Sequence, residues 1–127
     1  MDPVTHFEIP TDDMDRAEEF YAEAFGWKKM VPEGMEGDYE MALTSEFGEN
    51  MEPEEPGRIH GAFYNREKPD AGTLITIEVD SIDEALQRIQ KAGGEVAMPK
   101  QQTGEWGYYA RFRDSEGNLM SLWESAS

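Results

Sequence analysis

The chain has 127 residues, with 28 acidic and 11 basic side chains, no cysteine and a formal net charge of −17. This length suits one domain and can bury a working core without staples. The lack of cysteine excludes disulfide frameworks, thiolate metal sites and cysteine nucleophiles, and the acidity opposes nucleic-acid backbones and anionic lipid.

No basic region followed by an apolar run opens the sequence, and no apolar stretch reaches membrane-spanning length. The expectation is a cytoplasmic protein with no nucleic-acid or membrane partner. A solubilising surface accounts for the acid; a high-salt cytoplasm is the other reading, and composition alone does not separate the two.

The first strand runs through Val4–Ile9. Alternation puts Phe7 and Ile9 on one face, and His6 and Glu8 on the other. A helix follows, capped by Asp12 or Asp13, with Met14, Ala17, Phe20, Tyr21, Ala24 and Phe25 at helical spacing and Gly26 as its stop. Strand-like runs come next at Trp27–Val31, Tyr39–Thr44 and Arg58–Tyr64. In the last of these, Ile59, Gly61 and Phe63 share a face, leaving Arg58, His60 and Ala62 on the other. Tyr39 and Met41 are candidates to cover a cleft or meet a second copy. The loop Glu46–Gly57 is acidic and proline-bearing, and its Glu49–Glu55 portion fits no EF-hand spacing, so it reads as solvated. Arg66–Gly72 reads as a linker.

The second half repeats this order. In Leu74–Val79, Ile75, Ile77 and Val79 are expected beneath a helix, with Leu74, Thr76 and Glu78 opposite. Ser81 or Asp80 caps that helix, Ile82, Ala85, Leu86, Ile89 and Ala92 form its apolar stripe, and Gly93-Gly94 ends it. Strands follow at Glu95–Pro99, Tyr108–Arg113 and Leu119–Glu124. Ala110, Phe112, Met120 and Leu122 read as core. Tyr109, Arg111, Arg113, Leu119, Ser121 and Trp123 face the other way.

Sliding residues 6–28 onto 74–96, a shift of 68 positions, superposes Ile9 on Ile77, Asp12 on Asp80, Asp15 on Asp83, Ala17 on Ala85, Ala24 on Ala92 and Gly26 on Gly94. The unit is βαβββ, written twice. The expected fold class is α+β, with two tandem βαβββ modules forming a curved mixed sheet around a cleft. The whole of 1–127 is one domain, with module 1 at about 4–65, a linker at about 66–72 and module 2 at about 73–125. The faces away from the helices carry His6, Glu8, His60, Tyr109, Arg111, Arg113 and Trp123, a polar concavity with aromatic walls suited to a small molecule.

HFEIPTDDMDRAEEFYAEAFGW and FRDSEGNLMSLWE resemble the opening and closing signatures of the vicinal oxygen chelate superfamily, which holds glyoxalase I, bleomycin-resistance proteins and extradiol dioxygenases. The resemblance covers nearly the whole chain and is strongest to small lactoylglutathione-lyase-related members. It implies a metal-ligand position on the first and last strand of each module. Those positions fall on His6, about His60, Leu74 and Ser121. Leucine offers no donor atom, and a serine hydroxyl is a poor ligand.

Three functions follow. The first is a metal-independent binder of a small organic ligand through His6, Glu8, His60, Tyr109, Arg111, Ser121 and Trp123. Its arginines suit an anion, its aromatic residues suit a ring, and Glu8 orients His6 or meets the ligand. The second is a metal-dependent lyase, isomerase or dioxygenase holding Zn, Ni, Fe or Mn on His6 and His60, with Glu8 as the catalytic candidate. The third is an interaction module whose cleft a second copy closes through Trp27, Tyr39 and Phe47. The resemblance implies a homodimer.

Overall fold

A computed structural model describes residues 1–31, 39–49, 52–67 and 72–126. Parts of the expected Glu46–Gly57 loop (50–51) and of the Arg66–Gly72 linker (68–71) lie outside these. The elements in order are β1 (Val4–Thr11), α1 (Met14–Phe25), β2 (Lys28–Met30), β3 (Tyr39–Leu43), β4 (His60–Asn65), β5 (Leu74–Glu78), α2 (Ile82–Lys91), β6 (Glu95–Thr103), β7 (Gly107–Arg113) and β8 (Leu119–Ser125). The fold class is α+β, as the sequence predicts, and the helices and strands follow the expected order. The expected β6 stops at Pro99, whereas the strand runs on to Thr103, with register shifts between Val96 and Gln101 that carry it past the proline.

Contacts divide the chain into two compact units, His6–Thr73 and Leu74–Ser127, the latter joined by Met1–Thr5. Glu78 donates its backbone N–H to Pro3 O at 2.9 Å, and Arg88 pairs with Asp2 at 3.5 Å.

In the His6–Thr73 unit the strand order is β2-β3-β4-β1. β1 and β4 run parallel, with His6 opposite His60 and Phe7 opposite Gly61, while the other pairs are antiparallel. Asp13 caps α1 by accepting from Arg16 N–H, and Gly26 closes it at φ 74°. Met14, Ala42 and Phe63 are buried together, with Phe7, Ile9, Ala17, Tyr21 and Trp27 packed around them. Each large apolar side chain so buried contributes roughly 1.5–3 kcal/mol. The expected apolar stripe of α1 is only half used. Phe20 and Phe25 are 58% and 64% exposed, and they extend an aromatic run through Tyr21 to Trp27 instead of entering the core.

In the Leu74–Ser127 unit the order is β5-β8-β7-β6, with β5 and β8 parallel and the rest antiparallel. Ser81 caps α2 by accepting from Glu84 N–H. A second free donor of its first turn, Ile82 N–H, goes to Glu124 Oε1 at 2.7 Å. Val79, Ile82, Ala85, Ala110, Phe112 and Leu122 form the buried cluster. Ile75, expected beneath α2, is 46% exposed, because the cluster begins at Ile77. The closing motif is a tight turn. Asp114 Oδ1 accepts from the N–H groups of Glu116 and Asn118, and Gly117 supplies φ 82°.

Gly61 is fixed by a close approach. A Cβ there would lie 2.1 Å from Cε2 of the Phe7 ring, which covers the strand backbone. Gly61→Ala is expected to cost ~1–3 kcal/mol by overpacking. Urea unfolding of the variant measures this, and an unchanged midpoint would mean that Phe7 does not hold the β1–β4 register.

Candidate functional site

The parallel β1–β4 pairing places two histidines side by side. His6 and His60 are register partners, and alternation puts both on the face away from α1, since Phe7 and Phe63 lie beneath the helix. β3 adds Tyr39 and Met41 to that face, opposite Tyr64 and Ala62. Tyr39 Oη lies 3.5 Å from His6 Nε2. His60 is buried, with the Phe47 ring edge-on at 5.1 Å.

The His60 ring is held by backbone. Thr44 donates its N–H to His60 Nδ1 at 3.3 Å. A nitrogen that accepts from an amide carries no proton, so the neutral ring is protonated at Nε2. That Nε2 is buried and meets no hydrogen-bond partner among the described residues.

Both imidazoles favour the neutral form. Burial, and secondly the neighbouring His60, hold the His6 pKa down to about 4. Burial also lowers that of His60. At neutral pH the pair presents uncharged donors and acceptors. Glu8 follows two residues along β1 on the same face and is half-buried. Beside Thr44, a shallow cavity of about 180 Å³ is lined by Lys28, Leu43, Ser45, Glu46 and Arg58. Its cations are already committed, Lys28 to Glu46 and Arg58 to Glu55.

In the Leu74–Ser127 unit the face away from α2 is built by register. Thr76 sits opposite Ser121, Arg111 opposite Ser121 from the other side, and Tyr109 and Glu78 both opposite Trp123. Leu74 and Ser121 are 2% and 0% exposed. Thr76 Oγ1 is buried there with no hydrogen-bond partner among the described residues. Arg111, Tyr109 and Trp123 are half-buried. Arg113 donates to Gly117 O at 2.9 Å and so braces the Asp114–Asn118 turn. The predicted residues therefore fall in two groups, His6, Glu8 and His60 in one unit and Tyr109, Arg111, Ser121 and Trp123 in the other. Sequence reasoning missed Thr44, whose role is played by a main-chain amide that no side-chain pattern reveals, and Thr76, which registers against Ser121.

A fold of paired βαβββ units, with histidines on the strand face away from the helix, defines a class. The chain belongs to the Glyoxalase/Bleomycin resistance protein/Dioxygenase superfamily, whose family model matches residues 4–122. CFP32 of Mycobacterium tuberculosis, whose name assigns glyoxylase only provisionally, is 31% identical over 122 residues, which are 93% of this chain. The chain spans 44% of that protein's length. A glyoxylase-like domain-containing protein of Didymella fabae is 28% identical, covering 94% of this chain and 91% of its own. Among solved structures, hypothetical protein BH1468 of Bacillus halodurans superposes with TM-score 0.68 at 15% identity, covering 99% of this chain and 96% of its own. A Streptomyces coelicolor methylmalonyl-CoA epimerase variant with bound 2-nitronate-propionyl-CoA gives 0.64 at 20% identity, covering 98% and 97%. At these identities the structural likeness speaks for the fold.

The depressed His6 pKa sets a pH window. The unfolded chain takes up a proton at this side chain below ~6.5, whereas the folded chain resists until about 4. Stability is therefore expected to fall as pH drops through that window, by up to ~3 kcal/mol. His6→Gln should flatten this dependence in urea melts run between about pH 7 and about pH 4.5. Equal slopes for both proteins would show that His6 is not held neutral.

Proposed function

We propose that this protein binds a small organic ligand on the His6–His60 face without a resident metal. The observation that carries this reading is the hydrogen bond from Thr44 N–H to His60 Nδ1. It leaves the Nε2 proton in place, and a protonated nitrogen has no lone pair for an ion. The other two positions that the superfamily resemblance assigns to ligands support it. Leu74 has no donor atom, and Ser121 is a fully buried hydroxyl. The residues present do not fit the divalent ion of the metal-dependent members.

In this reading the His60 Nε2–H donates to a ligand acceptor, and neutral His6, beside Tyr39 Oη, accepts or donates according to its tautomer. Glu8 orients the ligand's polar end. The Leu74–Ser127 unit, taken by itself, offers on its own face the Arg111 guanidinium, suited to a carboxylate or phosphate, and the flat surfaces of Tyr109 and Trp123. Pairing as a homodimer and a cytoplasmic location belong to the same proposal.

Three measurements test it. Long-range proton–nitrogen NMR at neutral pH is expected to show His60 as the Nε2-protonated tautomer. Untagged protein is incubated separately with zinc, nickel, iron(II) and manganese, then desalted, and bound metal per chain is measured beside His6→Ala. Any metal retained is expected to be unaffected by His6→Ala. A panel of small carboxylates, acyl-CoA thioesters and aromatic acids, screened by thermal shift with and without chelator, is expected to give a chelator-insensitive ligand that His6→Ala weakens at least ~10-fold. One metal per chain, lost in His6→Ala, would overturn the reading and favour the metal-dependent enzyme.

A further inference from the structure

The other side of the same four-stranded sheet, the side that α1 covers, holds a feature that the histidine face does not use. Glu40 lies on β3 opposite Phe63, on the inward face where Ala42 joins the core. It is 6% exposed, and its Oε2 is buried with no hydrogen-bond partner among the described residues. A carboxylate so placed is costly unless something compensates it. Two more carboxylates come from one side of α1. Asp15 and Glu18 are three residues apart, so they lie on neighbouring turns of one face. One oxygen from each of Asp15, Glu18 and Glu40 lies within 4.8 Å of the others. Hard divalent cations take oxygen ligands at ~2.0–2.6 Å, so oxygens sharing one ion stand roughly 3–5 Å apart.

We propose that Asp15, Glu18 and Glu40 form a divalent-cation site of the magnesium, calcium or manganese type, separate from the histidine face. The donor set is all oxygen, which suits hard ions and disfavours the softer metals that imidazole prefers. Glu40 anchors the ion from the sheet. Glu18 bridges between the ion and Lys29, whose Nζ lies 3.0 Å from Glu18 Oε2. Exposed Asp15 forms the solvent-side edge, where water completes the coordination. Lys29 lies opposite Ala42 on β2, so it reaches this group from the strand beside Glu40. One lysine against three carboxylates leaves an excess of two negative charges for the ion to neutralise.

The test is calorimetric titration of the full chain with calcium, magnesium and manganese in turn. A background of monovalent salt suppresses loose association with the acidic surface. The expected result is saturable uptake of one ion per chain. Glu40→Gln, which keeps the side-chain volume, is expected to abolish uptake. Asp15→Asn, at an exposed position that does not challenge folding, is expected to weaken it at least ~10-fold. His6→Ala should leave it unchanged, which separates failure here from failure of the ligand-binding reading. Absent or non-saturating heats, or affinity that survives both carboxylate substitutions, would overturn the proposal.

Discussion

The parallel pairing of β1 with β4 is the constraint on which the rest of the His6–Thr73 unit depends. Its register is fixed where the Phe7 ring lies over the bare backbone of Gly61, leaving no room for even a methyl group. A slip by one residue would turn every side chain of the strand over. Because Phe7 is held against Gly61, His6 is held against His60, and Glu8 follows on the same side. The chemistry-bearing face is thus a by-product of packing on the opposite face. The second repeat uses the same device, with β5 and β8 parallel and Thr76 brought against Ser121. There the pairing yields two hydroxyls in place of two imidazoles, so one backbone geometry serves different side chains.

Burial then decides what the histidines can do. An imidazole in water is poised to take a proton near neutrality; here burial keeps both neutral, His60 with Phe47 edge-on to it and His6 beside Tyr39 and His60. The main chain of Thr44 goes further by choosing which nitrogen of His60 is bare. Metal-binding histidines commonly turn one ring N–H toward an acceptor so that the other nitrogen is free for the ion. Here the amide is a donor, and the polarity of the ring is reversed. In the proposed reading, two histidines in the right sequence positions do not make a metal centre, because their environment sets the lone pairs.

Much of this was legible in the sequence. Period-two alternation assigned His6, His60, Tyr109, Arg111, Ser121 and Trp123 to the faces away from the helices, and capping chemistry narrowed the N-caps to Asp12 or Asp13 and to Ser81 or Asp80, of which Asp13 and Ser81 cap, and found Gly26. Those signals are local, and local signals survive translation into structure. Three features were not legible. The stripe on α1 promised burial for Phe20 and Phe25, but both are exposed and stack along an aromatic run with Tyr21 instead. The Thr44 amide has no side-chain signature. Glu40 interrupts an inward-facing strand pattern, a visible anomaly in Tyr39–Leu43, yet its partners Asp15 and Glu18 lie on a helix more than twenty residues away. Only the packing of α1 on the sheet gathers them.

The grouping of Met1–Thr5 with the Leu74–Ser127 unit has a consequence for the order in which the chain matures on the ribosome. Pro3 O waits for Glu78 N–H, and Asp2 waits for Arg88. Residues His6–Thr73 hold all the strands that β1 needs for its pairing with β4, so this part can close while synthesis is still in progress. Met1–Thr5 cannot: until Glu78 and Arg88 have been made, this segment lacks its partners and is open to a protease or to pairing with another nascent chain.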